Sequence, residues 1–310
     1  MVSRRNIRVK VMQTLYTLDS INNEIKPGEA ELILTQKIKQ TQDLFYYIIH
    51  FIVSVTQYAE VDALQKASKH LPTEKDLNIS TKIAGNELVW KIVENKFFES
   101  AVKSSKFSDI LPNDLLKKTY NNLVETSTYK EYAEEASRDK KSERKILDYI
   151  FNQLLLPNED FIQHVEEHFI NWDDDAEVMQ TLISSYFAKP NDAIFKDMFT
   201  AEKIVFAKEL LRTVQEKQTY TLQLIKPKLK NWDAERIAAL DLILLQMGIC
   251  EFLYFETIPT KVTINEYIDL AKAYSTPQSG QFVNGLLDNI HKELMNENKI
   301  IKTTYKNSTI

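Results

Sequence analysis

The sequence predicts an all-helical fold, on three observations. Glycine and proline number only 5 and 8 among 310 residues, well under their usual shares of about 7% and 5%. That is too few for the turns of a β-sandwich or the phosphate loop of a glycine-rich nucleotide fold. Apolar residues recur at three- and four-residue spacing along much of the chain, the period of a half-buried helix. The single cysteine, Cys250, excludes an internal disulfide or a cysteine-based zinc cluster. With 44% hydrophobic and 27% charged residues, the composition is that of a soluble globular protein of one large domain or two ordinary ones.

Taken in order, Ile7, Val11, Leu15 and Leu18 predict a first helix from about 4 to 18, with Arg4, Arg8 and their neighbours turned to solvent. Residues 20–34 carry Asn22-Asn23 and Pro27-Gly28 and read as a connection. A second helix is expected over 35–64. Its stretch Ile48-Ile49-His50-Phe51-Ile52-Val53 could pass for a strand, but the flanking polar-apolar pattern favours helix. Further helices are expected near 80–103, 112–126, 129–155, 158–169, 174–187 and 191–217. Pro112 and Pro157 suit first turns, where the missing N–H costs nothing. Asn191 suits a cap, and Asp173-Asp174-Asp175 place negative charge at a helix start. Phe45, Trp90, Phe97, Phe98, Phe151 and Phe161 mark the region 20–200 as folded, since a solvated linker has no use for them.

In the last third, a helix beginning at Asn231 or Asp233 runs through Ile237, Leu240, Leu244, Met247 and Glu251. It is apolar around much of its circumference and should be central. Pro259 restarts the chain, and Thr276-Pro277 precedes a last helix striped by Phe282, Val283, Leu286, Leu287, Ile290 and Leu294. Gly280 and Gly285 lie inside that stripe at a cost of about 1 kcal/mol each, which points to close approach by a helix or a ligand. The tail after Asn296 is expected to fray.

Catalytic signatures are missing from the sequence: it has no P-loop, dinucleotide fingerprint, nucleophile elbow or kinase motif. His164 and His168 stand four apart, yet His164-Val165-Glu166-Glu167-His168 lacks the order of a zinc protease, and a surface pair is the better reading. Glu251 within an apolar run reads as a polar tie between helices, and Glu266 as a capping or interhelical acceptor. No catalytic residue, metal or cofactor is expected. The start of the chain has no secretory core, and the apolar run Phe45–Val55 is too short to cross a bilayer, so a cytoplasmic protein without a membrane partner is expected. Net charge is 39 − 44 = −5, so any case for nucleic acid has to be local. The local case is Arg4, Arg5, Arg8 and Lys10, four positives in ten residues with no acid before Asp19.

Several ordered motifs resemble the NusB family of bacterial transcription antitermination factors. They are Arg4-Arg5-Asn6-Ile7-Arg8 with Gln13-Thr14-Leu15-Tyr16, then Trp232-Asp233-Ala234-Glu235-Arg236-Ile237. Ile258-Pro259-Thr260-Lys261-Val262-Thr263-Ile264-Asn265-Glu266 follows, then Asp269-Leu270-Ala271-Lys272 and Phe282-Val283-Asn284-Gly285-Leu286-Leu287-Asp288. The resemblance covers about 1–18 and 202–292. It implies a NusB-like helical bundle enlarged by a long helical insertion: a basic N-terminal helix (1–20), an insertion or second helical domain (21–200), the rest of the bundle (201–296) and a flexible tail (297–310).

The function it implies is antitermination through boxA-like, single-stranded ribosomal RNA transcripts. The partners it implies are ribosomal protein NusE, other antitermination factors and RNA polymerase. The family's RNA-binding motifs fall on Arg4, Arg5 and Arg8, with Lys10 beside them, and on Ser279, Gln281, Phe282 and Asn284; Glu235 is the matching protein-partner position. Many members carry a basic residue where this chain has Gln281. A helical scaffold without specific RNA binding, and less readily an enzyme built around Glu251 or the two histidines, are the alternatives.

Overall fold

The computed structural model describes residues 1–21, 26–229 and 237–303. Among them all regular structure is helical. Helix α1 (Arg4–Ser20) starts at a capping box in which Ser3 and Asn6 satisfy each other's backbone N–H groups. Gly28, at φ 86°, makes the turn into α2. This helix (Glu29–Ala67) begins six residues before its expected start and takes in part of the expected connection. The β-branched run stays helical because Ile48, Ile49, Phe51, Ile52, Val53 and Val55 are all buried, so tertiary packing decides. By length and composition α2 could cross a membrane, but 61% of its most apolar window is buried in the protein, as in a core helix.

The helix expected over 80–103 is broken in two, α4 (Glu87–Glu94) and α5 (Lys96–Ser104), after a single turn, α3 (Glu74–Leu77). Asn95 is the cause. It ends α4 and its side chain caps α5 by accepting from the Phe97 and Phe98 N–H groups. Next come α6 (Asn113–Glu125), with Pro112 at its N-cap, and α7 (Ser127–Glu134), capped by Thr126. The span expected as one helix over 129–155 therefore divides. Asp139 caps α8 (Lys140–Tyr149), which continues as a wider π turn over Ile150–Leu155. Helices α9 (Glu159–His168) and α10 (Trp172–Ala188) follow, the latter with Asp173, Asp174 and Asp175 in its first turn. The helix expected over 191–217 is a short α11 (Ile194–Asp197) and a longer α12 (Ala201–Ile225). The chain ends in α13 (Ala239–Tyr254), α14 (Thr260–Tyr274) and α15 (Ser279–Asn296). The expected helix start at Asn231 or Asp233 lies outside the described residues.

Two compact units emerge: residues 1–2 with 39–198, and residues 3–38 with 199–310. The core of the first is aromatic. Phe195 touches the rings of Phe45, Tyr46, Phe98 and Tyr186, and Phe51 meets Phe161 edge-on at 5.0 Å. Two of its buried carboxylates are paired: Asp175 accepts from Thr41 and Asn171, and Glu143 accepts from the Glu87 N–H, Tyr132 and Arg138.

In the same unit, burial holds the imidazoles of His50 and His164 below their ordinary 6.5, with the charge of His168 adding to the effect at His164. Protonation therefore favours the unfolded chain, where the histidines titrate normally. The contribution is complete above about 6.5 and is lost as pH falls through the lower folded values. Unfolding free energy by denaturant titration is expected to fall as pH drops from 7 toward 5.5; a rise over that window would contradict the burial.

In the second unit, α13 is the central helix. It packs against α1, α12, α14 and α15, while α14 and α15 lie along each other. Gly248 permits the approach of α15: a Cβ there would stand 2.9 Å from Leu287 Cδ2. At Gly280 a Cβ would meet the Lys272 side chain at 2.8 Å, whereas Gly285 faces open space. The stretch expected to fray is held at its beginning. Lys302 Nζ donates to the Glu251 and Phe255 carbonyls at 2.8 Å, closing the end of α13, and the Thr303 N–H donates to Glu256 O.

Candidate nucleic-acid interface

Helix α1 presents its basic residues in two different ways. Arg4 is exposed and Arg5 half-buried, and each is held by one surface carboxylate. Arg4 Nη2 lies 2.6 Å from Glu202 of α12, with its guanidinium over the Phe206 ring at 5.8 Å, and Arg5 Nη1 lies 3.1 Å from Asp269 of α14. Exposed pairs of this kind contribute about 0–1 kcal/mol, so another anion can displace the carboxylate at little cost.

Arg8 and Lys10 correct the expectation that this whole helix start faces solvent. Each is 2% exposed. Arg8 forms a fork with Glu251 of α13, Nε at 2.6 Å and Nη2 at 3.1 Å, and Nη1 reaches Glu266 of α14 at 3.5 Å. Thr263 and Tyr267 also donate to Glu251, at 3.0 and 2.8 Å. Burial alone would depress the Arg8 pKa, but the hydrogen bonds and charge of Glu251 outweigh it and raise it further above the arginine range. Burial, then the neighbouring Glu251, pushes the Tyr267 phenol well up. Arg8 is thus a fixed, neutralised cation that ties three helices together. The signal was present in the sequence: Arg8 stands three and seven residues before Val11 and Leu15, on the apolar stripe itself.

At the other motif, Ser279 is buried and donates to Asp241 of α13 at 2.7 Å, with the hydroxyls of Thr276 and Ser275 at 2.8 and 3.0 Å. It fixes the start of α15 rather than facing a ligand. Gln281 and Asn284 are exposed and Phe282 is half-buried. Helix α14 links the two sets of surface residues, since Asp269 holds Arg5 and the Lys272 side chain lies against Gly280 of α15. Glu235 lies outside the described residues. The sequence reading missed Glu202 and Asp269, whose only sign is a carboxylate on the solvent side of an amphipathic helix.

Other candidate chemistry resolves into structure. Cys250 is buried, and burial raises its thiol to about 12, far from a nucleophile's range. The His164 ring meets the Tyr47 hydroxyl, and His168 Nδ1 lies 2.9 Å from the His164 carbonyl. No group of three or more His, Cys, Asp or Glu side chains is placed to hold a metal among the described residues.

A model of the NusB family matches residues 163–292. Transcription antitermination protein NusB of Finegoldia magna is 42% identical over 93 residues, 30% of this chain and 68% of that protein. The chain belongs to the NusB family. The Listeria monocytogenes serotype 4a NusB is 33% identical over 102 residues, covering 33% of this chain and 80% of its own length. NusB of Salinibacter ruber is 42% identical over 98 residues, and this chain spans 61% of its length. A solved T. maritima NusB, 26% identical, covers 51% of this chain and 93% of its own, with a TM-score of 0.30. The NusB match begins at residue 163, within the region expected as an insertion, and most of the 39–198 unit precedes it.

Proposed function

We propose that this NusB-family protein is an RNA-binding antitermination factor that takes boxA-like single-stranded RNA together with ribosomal protein NusE, in complexes with other antitermination factors and RNA polymerase in the cytoplasm. The observation that carries this reading is an arginine pair, Arg4 and Arg5, in the N-terminal motif that resembles the family's, left at the surface under weak ion pairs. Guanidinium forks suit phosphate oxygens and base edges, and a phosphate arriving there replaces Glu202 or Asp269 rather than opening a new site. Gln281 and Asn284 add uncharged donors and acceptors, and Phe282 beside them is half-buried, with part of its side chain accessible to an unstacked base. Arg8 and Ser279 serve this surface by holding the helices that display it, and Lys10 is buried beside them. Glu235 is the proposed contact with NusE.

The test is a titration against boxA-like RNA and a scrambled control, with and without NusE, at several salt concentrations. Changing Arg4 and Arg5 together to Ala is expected to weaken boxA binding and flatten its salt slope by about 0.7 per lost phosphate contact. Stability should change by no more than about 0.5 kcal/mol, since both side chains lie at the surface. An unchanged affinity and slope in the folded double variant would overturn the surface. Binding to NusE without preference for boxA would leave a helical protein scaffold as the function.

A further inference from the structure

We propose that the 39–198 unit carries a second single-stranded RNA platform, built on Trp90 and Phe97 and flanked by Lys91, Lys140, Arg144 and Lys196. It rests on the reading that the chain binds RNA, but uses residues that precede the family match, apart from Lys196.

Two consecutive short helices each place an aromatic ring where packing does not call for one. Helix α4 buries Leu88, Val89 and Ile92 and turns Trp90 outward, 55% exposed. Helix α5 buries Phe98 and turns Phe97 outward, 50% exposed. Helices α4 and α5 are joined through Asn95 and pack together. Neither ring earns its place through helix propensity, which is unremarkable for Trp and Phe.

Each exposed ring has a lysine next to it in sequence, Lys91 after Trp90 and Lys96 before Phe97. The ammonium of Lys196 lies over the Phe97 ring, 6.0 Å from its centroid. Beside α4 is a cleft of about 140 Å³, lined by Lys91, Lys140 and Arg144 together with the carboxylates of Glu87, Glu143 and Asp192.

Those carboxylates offset only part of the positive charge, because Arg138 neutralises Glu143 and leaves Glu87 and Asp192 against Lys91, Lys140 and Arg144. Glu143 is taken up by Arg138, Tyr132 and the Glu87 N–H, and Asp192 accepts from Tyr186 at 3.3 Å. Lys91, Lys140, Arg144 and Lys196 form no ion pair among the described residues. Arg144 Nη1 donates to the Ala188 carbonyl at 3.3 Å, a contact that leaves its charge unneutralised. Exposed rings beside cations outside any ion pair match a flexible polyanion whose bases can leave the stack: bases lie on the rings and phosphates lie along the cations. A duplex presents no free base face, so the platform selects single strands.

The experiment compares a boxA-length RNA with the same RNA extended by unstructured flanking nucleotides, using the full chain. Extension is expected to tighten binding, and the Trp90→Ala/Phe97→Ala variant to lose about tenfold or more of affinity for the extended RNA while binding the short one unchanged. Trp90→Phe should restore most of the loss, because a smaller ring still stacks. Emission from Trp90 should be quenched by the extended RNA and not by the short one, and the difference should vanish in the Trp90 variants. Binding of the short RNA with no gain on extension overturns the platform and leaves the aromatic face to a protein partner. If the short RNA fails to bind but the extended strand binds and quenches Trp90, the platform stands and the Arg4–Arg5 surface falls. If neither RNA binds, both readings fall.

Discussion

Replacing Arg8 with Ala is expected to destabilise the protein by about 3–5 kcal/mol, the cost of leaving a buried carboxylate without its partner. Against total stabilities of about 5–15 kcal/mol for a domain, that is a large share. Glu251 is fully buried and is left with only the Thr263 and Tyr267 hydroxyls on its oxygens. Lys302 does not take over, because its ammonium is spent on the Glu251 and Phe255 carbonyls. The double variant Arg8→Met/Glu251→Leu should recover part of the loss, since neither charge is then buried. It should not recover all of it, because two buried hydroxyls remain aimed at an absent carboxylate, each costing about 1–3 kcal/mol. Denaturant unfolding of Arg8→Met, Glu251→Leu and the double gives the coupling directly. A loss for Arg8→Ala of less than about 1 kcal/mol would show that the pair is wet and that Arg8 is available for RNA after all. BoxA affinity per folded molecule should be unchanged in Arg8→Ala, which separates its role from that of Arg4 and Arg5.

The first helix was legible because Ile7, Val11, Leu15 and Leu18 recur at helical spacing. The side each arginine takes was harder to read. Arg4 and Arg8 are four apart and nominally share a face, yet one bonds Glu202 at the surface and the other is sealed under α13 and α14. What separates them is a partner 243 positions away in the chain, and a local window contains no trace of it. Glu251 was read as a polar tie between helices on the strength of its apolar surroundings, and that reasoning extends to Arg8: a lone charge on an apolar stripe predicts an opposite one facing it.

The 20–200 region shows the opposite balance. Its helical class followed from composition and period, but its breaks did not. Asn95 and Asp139 act by satisfying N–H groups of the next helix, and Asn or Asp in a polar stretch is too common to mark a cap reliably. Trp90 and Phe97 were read as signs of a core. The structure buries Phe98 and Phe161 but leaves those two rings in solvent, a difference of one helical position that composition cannot resolve.

That difference is measurable as a contrast within one unit. Phe195→Ala is expected to cost about 3–5 kcal/mol, in the range for a buried phenylalanine. The ring is 2% exposed and contacts Phe45, Tyr46, Phe98 and Tyr186 at centroid distances of 5.3–6.1 Å. Four aromatic walls from three helices cannot close over the void together, because moving any one of them opens a gap against another. The Tyr46 hydroxyl also bonds the Phe195 carbonyl, which keeps the backbone in place and prevents the 194–197 turn from collapsing inward. Phe195→Leu fills more of the space and should lose clearly less. Trp90→Ala, by contrast, removes a larger ring from the surface and should stay within about 0.5 kcal/mol of the parent. Amide exchange in the Phe195→Ala variant should accelerate in α2 around 45–51, in α5 and in α10, the elements that supply the four walls. If Phe195→Ala and Trp90→Ala cost the same, the ring network is not the core of this unit, and burial of Phe98 would no longer distinguish it from its exposed neighbour Phe97.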